Sequence, residues 1–236
     1  AAKMVAKAIS ISRHAKSPET YIMPDSWVRR ISPLSWKDDA AYVKSLQNYI
    51  FLALALFFGS AIAGFLTASG DPELAATYVK EIGGKLAWIL DLSPPLMMLA
   101  IFANNLFAAT ISMLLGIGFG IIPAVIAIIN GAVIGIVVWH AMDVGGLAFV
   151  TIAILPHGII ELPTIFVSIG VGLRLGHLLF QTLQGKKVDL GGEMRSVLSL
   201  LRWIVLLLFL AAMIETFITP VLIQPFIDSQ SLPVME

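Results

Sequence analysis

LSPPLMMLAIFANNLFAATISMLLGIGFGIIPAVIAIINGAVIGIVVWHAM, residues Leu92–Met142, is a run of 51 residues without one Asp, Glu, Lys or Arg. A bilayer span takes about 20 predominantly apolar residues, so the run is too long for one crossing and fits two joined by a tight turn. Gly116-Ile-Gly118-Phe-Gly120 supplies the turn. Pro123 then falls in the opening turn of the next helix, where a missing amide hydrogen is harmless. The second and third spans are therefore placed at 95–117 and 121–142.

The same charge map extends outward. Residues 45–70 carry no charge, 144–173 only Glu161, and 203–227 only Glu215. The chain has 236 residues, of which 58% are apolar and 13% charged, about half the roughly 25% of a soluble domain; its mean hydropathy is +0.91. The expected fold is all-α, a polytopic integral membrane bundle with spans near 49–68, 95–117, 121–142, 147–172 and 197–219, the last stopped by Pro220. Residues 1–47 form a basic juxtamembrane segment, and 48–220 the transmembrane domain. An outer loop (69–94), an inner loop (173–196) and a tail (221–236) complete the plan. The outer loop holds an amphipathic stretch interrupted at Gly83-Gly84, which reads as an interfacial helix pair or cap. Residues 1–47 contain no apolar core of the length a signal peptide needs.

Placing the basic residues sets an orientation. With the N-terminus cytoplasmic, thirteen of the fifteen Lys and Arg lie on that side, leaving only Lys80 and Lys85 outside. The positive-inside rule then predicts a plasma-membrane protein with its N-terminus inside and C-terminus outside. Fifteen acidic residues balance the fifteen basic ones, so net charge gives no reason to invoke nucleic acid. The absence of cysteine excludes disulfides and thiolate chemistry.

Polar side chains inside a span are costly and need a protein or water neighbour. Asn104 and Asn105 lie mid-way along the second span, Asn130 along the third, His157 and Glu161 along the fourth, and Glu215 in the outer half of the fifth. These six are the candidate midplane or ion-site residues. The first span offers little beyond Ser60 and small residues, and is expected to be the peripheral helix. The fourth contains Leu155-Pro156-His157-Gly158-Ile-Ile-Glu161-Leu-Pro163. Each proline removes an amide hydrogen and crowds the carbonyl four residues earlier, so a break is expected at Pro156-His157-Gly158. His157 and Glu161, at i and i+4, share a helix face. They either satisfy each other and the loosened backbone or form an ion or proton site of the kind transporters build from discontinuous helices.

A metal site is not expected, since one histidine and one carboxylate are too few ligands; no catalytic constellation or cofactor motif is present. Glycines at four-residue spacing, Gly116/Gly120, Gly131/Gly135 and Gly172/Gly176, allow close helix approach. They point to tight packing of spans two to five, or to a homodimer interface.

The strings Ile101-Phe-Ala-Asn104-Asn105-Leu, Ile129-Asn130-Gly131, Leu155-Pro-His157-Gly158-Ile-Ile-Glu161-Leu-Pro163, Gly172-Leu-Arg174-Leu-Gly176 and Ile214-Glu215-Thr-Phe-Ile-Thr219-Pro220 together resemble the stage II sporulation protein M family. The match in order and spacing covers roughly residues 40–225. The resemblance implies a membrane subunit that anchors, and does not itself perform, envelope remodelling. Relatives occur in organisms that do not sporulate, some beside transporter components. The motif residues Asn105, Asn130, Gly131, His157, Glu161, Glu215 and Pro220 bring no established chemistry. The expectation is a non-enzymatic scaffold or regulatory subunit with membrane or envelope protein partners. The alternative is a permease or channel-like protein moving an ion, proton or small solute.

Overall fold

The computed structural model describes residues 35–231; the basic stretch up to 34 and the last residues of the tail lie outside them. Every regular element among the described residues is helical. A short helix α1 (Trp36–Ser45) leads into α2 (Gln47–Gly70), α3 (Pro72–Leu90) and α4 (Pro94–Leu114). A 3-10 turn (Leu115–Ile117) follows, then α5 (Ile121–Asp143) and α6 (Gly145–Leu183). The chain ends in α7 (Leu190–Met213), a π-helical turn (Ile214–Ile218) and α8 (Thr219–Ser231). Five segments are long and apolar enough to cross a membrane: Gln47–Gly70, Pro94–Ile117, Ile121–Asp143, Gly145–Leu183 and Leu190–Phe226.

The boundaries follow from local chemistry. Ser35 and Asp38 form a capping box, with Asp38 N–H donating to Ser35 Oγ at 3.3 Å and Ser35 N–H to Asp38 Oδ2 at 2.9 Å, so two orphan amides at the start of α1 are satisfied. Asp71 caps α3 by accepting from Leu74 N–H at 3.0 Å, and Asp189 caps α7 through Gly192 N–H at 2.9 Å. Proline opens α3 and α4. The turn between α4 and α5 places Phe119 at φ 58° and Gly120 at φ 75°.

Four expectations about the helices are corrected. The fourth span is not broken at Pro156-His157-Gly158: helical geometry runs through both prolines, and the interruption lies at Gly146, with φ 73° and ψ 178°. A proline deletes one hydrogen bond, whereas leaving the helix in lipid strands several polar groups, so the helix is retained. Pro220 does not stop the fifth span. The π turn ahead of it changes the hydrogen-bond register, Thr219 Oγ1 donates to Ile214 O at 3.3 Å, and α8 continues to Ser231. Gly83-Gly84 does not divide the outer stretch, because α3 is a single helix. The first span, finally, is not peripheral.

That last correction explains the packing. Helix α2 makes the most extensive contact in the bundle, against α5 and α6. Gly131 and Gly135 of α5 face the carbonyls of Phe57 and Ala61, and Gly64 of α2 faces Ala132, so that a methyl at any of the three would collide with backbone. A second interlock joins α4 and the following turn to α6: Gly116 meets Gly172, Gly172 meets Ser112, and Gly176 meets Gly120. Small residues let backbones approach closely, and van der Waals packing, unlike hydrophobic burial, still operates between helices in lipid. Both glycine interlocks are thus used within the chain. The larger side chains pack around them, with Phe57 edge-on to Phe166 at 5.1 Å. A second buried cluster gathers Tyr42, Leu46, Met113, Val171, Leu200 and Leu208.

Candidate functional site

The inward face of α6 repeats at intervals of three and four residues. Thr164, Ser168, Val171 and Leu175 are buried, and continuing the stripe toward the start of the helix gives Glu161 and then His157. On α7 the buried stripe is Val197, Leu200, Ile204, Leu208 and Ala211, and the next step is Glu215. Residues so spaced share a helix face. Where the two stripes meet, His157, Glu161 and Glu215 each offer a ligand atom, all within 4.8 Å of one another.

These three line a cavity of about 320 Å³ together with Asn104 and Asn105 of α4, and Met97, Ile101, Gly83, Ile89 and Leu90 complete its wall. The last three belong to α3, which therefore covers the polar group. Asn104 Nδ2 donates to Asn105 Oδ1 at 3.3 Å. Among the described residues, Nδ1 of His157 is buried with no hydrogen-bond partner. At 1.5 Å per residue the polar groups lie about 15–25 Å along their helices from the α3 end, near the middle of a hydrocarbon core about 30 Å thick.

The structure thus brings together five of the six midplane candidates. Asn130 stands apart on an exposed face of α5, with Nδ2 donating to Ile126 O at 2.8 Å. Glu215 is closer to His157 and Glu161 than its position in the outer half of its span suggests. It supplies the third metal-type ligand that residues of the fourth span alone lack. The helix-break residues divide differently: Gly158 is buried, while Pro163 is exposed.

A second polar group, at the other end of the bundle, is not evident in the order of residues. Glu193 of α7 accepts from Tyr42 Oη at 2.6 Å and pairs with Arg174 of α6, through Nε at 2.7 Å and Nη2 at 3.0 Å. Arg174 also donates to Ser45 Oγ at 3.0 Å and lies over the Tyr42 ring. Beside it the buried Asp39 accepts from Ser199 Oγ at 2.7 Å, from Trp203 Nε1 at 3.0 Å and from Arg202. Helix α1 is therefore clasped onto α6 and α7. Burial pushes the Asp39 carboxyl up, but the hydrogen bonds from Ser199, Trp203 and Arg202 outweigh it and hold the group below the usual carboxylate range. Burial first, and then the neighbouring Glu193, pushes the Tyr42 phenol well above its ordinary value, so it remains a donor. The only sequence signals were the Ser35-x-x-Asp38 capping pattern and acidic residues inside a basic segment. Neither indicates which distant side chains they meet.

Five apolar spans, glycine interlocks and a polar group at mid-depth define a polytopic membrane protein. Residues 53–220 match the family described as stage II sporulation protein M, and the chain belongs to that family. It is also 27% identical, over 174 residues, to an uncharacterized protein of Methanocaldococcus jannaschii, an alignment covering 72% of this chain and 93% of the relative. No solved structure matches it.

Proposed function

We propose that this chain is a non-enzymatic membrane subunit that scaffolds or regulates a cell-envelope or membrane-remodelling complex in the plasma membrane, with its N-terminus cytoplasmic and its C-terminus external. The observation carrying this reading is Asn130. It is exposed in the middle of a span, flanked by the exposed Ile128, Ile129 and Val125. Its one recorded bond, to the Ile126 carbonyl, uses a fraction of an amide's capacity for donors and acceptors. An amide facing lipid is costly, and a neighbouring transmembrane helix offers it the missing partner. Family membership supports the assignment, since the family's name is that of a sporulation protein.

A photo-crosslinking residue at position 130, in native membranes, tests the proposal. The expected product is an adduct with another membrane polypeptide or with a second copy of the chain, distinguished by mass. Adducts with lipid alone refute it. The permease reading is favoured by a different observation, the polar cavity under α3. Proteoliposomes carrying the wild type and Glu161→Gln, under proton, sodium and potassium gradients, decide it: flux above the protein-free baseline that the substitution abolishes supports transport. Baseline behaviour under every gradient removes that reading.

A further inference from the structure

We propose that His157, Glu161 and Glu215 bind a divalent transition-metal cation between α6 and the π turn that follows α7. The first argument is geometric. Ligand atoms about 2.0–2.2 Å from a shared tetrahedral zinc ion lie about 3.3–3.6 Å apart. In this fold the three candidate atoms lie within 4.8 Å of one another, so side-chain movements of about 1 Å bring them to that spacing. The ligands come from two helices fixed by unrelated packing: α6 by its glycine interlock with α4, and Glu215 by continuation of the buried stripe of α7.

The second argument is electrostatic. Two carboxylates share a cavity at mid-depth, and no Lys or Arg is among the described residues lining it. Taking an unpaired carboxylate out of water is prohibitively costly, so the pair requires protons or a cation. The imidazole adds a nitrogen donor beside the two carboxylates. Among the described residues, Nδ1 of His157 is buried and has no hydrogen-bond partner. An imidazole whose ring nitrogen lies within 4.8 Å of oxygens from two carboxylates is a ligand set for a metal.

The donor types narrow the ion. Calcium takes six to eight oxygen ligands, and magnesium keeps an octahedral oxygen shell. One imidazole nitrogen with two carboxylates suits Zn²⁺, Mn²⁺ or Fe²⁺ better. The amides of Asn104 and Asn105, on the same cavity, are available to a fourth ligand position or to a bound water. Helix α3 lies over the site through Gly83, Ile89 and Leu90, so exchange of the ion requires α3 to move. The inference does not depend on Asn130 or on any flux: a bound ion that never moves is compatible with a purely scaffolding subunit.

The test uses the full chain in lipid nanodiscs, stripped with chelator and titrated at neutral pH with Zn²⁺, Mn²⁺, Mg²⁺ or Ca²⁺. Bound metal per chain is counted by elemental analysis, and the thermal unfolding midpoint is followed in parallel. One Zn²⁺ or Mn²⁺ per chain is expected, with a raised midpoint that Mg²⁺ and Ca²⁺ do not produce. Glu161→Gln and Glu215→Gln should each weaken Zn²⁺ binding by more than the roughly 10–100-fold that loss of an outer-shell partner costs. His140→Ala and His177→Ala should bind as the wild type does. Wild-type protein that takes up no metal, with a midpoint indifferent to Zn²⁺ and Mn²⁺, overturns the proposal. So does Zn²⁺ binding that persists undiminished in His157→Gln and in both carboxamide variants. Because the wild-type titration alone can overturn it, a variant that fails to fold does not protect the proposal.

Discussion

Replacing Glu193 by Gln removes the charge around which the α1 end of the bundle is organised. The Glu193 carboxylate accepts one hydrogen bond from Tyr42 and one from Arg174 Nη2, and Arg174 Nε lies 2.7 Å from it as an ion pair. A hydrogen bond to a charged group contributes about 1.5–3 kcal/mol net, and breaking a buried ion pair from one side costs about 3–5 kcal/mol. The Glu193 side chain is 7% exposed but that of Arg174 is 24% exposed, so water compensates part of the orphaned guanidinium. The expected penalty for Glu193→Gln is therefore about 2–3 kcal/mol, at or just below the low end of that range. Tyr42→Phe deletes a single bond and should cost about 1–2 kcal/mol.

The two residues touch, so their effects should not add; contacting pairs show couplings of about 0.5–3 kcal/mol. Unfolding of wild type, both single variants and the double variant, in one detergent, closes the cycle. A second readout separates the clasp from general instability. Limited proteolysis between residues 35 and 46 should accelerate in Glu193→Gln under conditions where α2 to α7 remain protected, because α1 loses Tyr42 and Ser45 as anchors. Penalties within about 0.5 kcal/mol of zero, as for ordinary surface sites, combined with strict additivity, would refute the reasoning.

Two glycines test two different physical requirements. At Gly131 a methyl meets the Phe57 carbonyl and Ser60, so Gly131→Ala should cost about 1–3 kcal/mol through overpacking and loosen α2 from α5, visible as slower disulfide trapping between cysteines engineered into those helices. At Gly146 nothing lies within 4 Å of the added methyl, but φ is 73° and ψ 178°, so Gly146→Ala should cost a similar 1–3 kcal/mol through backbone strain alone. A neutral Gly146→Ala with a costly Gly131→Ala would show that the α5–α6 junction relaxes freely. The third expectation concerns pH: Asp39, whose carboxyl is held low in the folded state, stabilises the fold above its unfolded value of about 4. That contribution is lost as pH falls through the lower folded value. Asp39→Asn should therefore unfold at lower temperature than wild type at pH 7, and the gap should narrow as pH falls below about 4; a gap constant from pH 7 to pH 3 contradicts the assignment.

The membrane class and the number of spans were legible because they depend on a running sum. Fifty-one consecutive uncharged residues cannot be anything but membrane crossings, whatever their neighbours do. The tight turn at 116–120 was legible for a related reason, since glycine at φ 75° is a local requirement. Glu215 shows where such reasoning ends. The stretch around it, 203–227, carries no other charge, so no polar face there marks which side is buried, and only the packed stripe ending at Ala211 shows that Glu215 turns inward. The peripheral placement of the first span failed similarly. Polarity was used as the sign of burial, whereas in lipid the backbone approach permitted by Gly64, Gly131 and Gly135 decides who packs with whom.

By itself the sequence determined that the chain is a five-span helical membrane protein, with a glycine turn after the second span and a few costly polar residues at mid-depth. Hydropathy, length and charge act within a segment and need no partner. Only the tertiary structure decided that His157, Glu161 and Glu215 converge, that Asn130 does not join them, and that Asp39, Tyr42, Arg174 and Glu193 clasp a helix from outside the spans. Those outcomes depend on which faces of different helices meet. In a bilayer that choice rests on close packing and hydrogen bonds between segments, and a count of apolar residues along the chain carries neither.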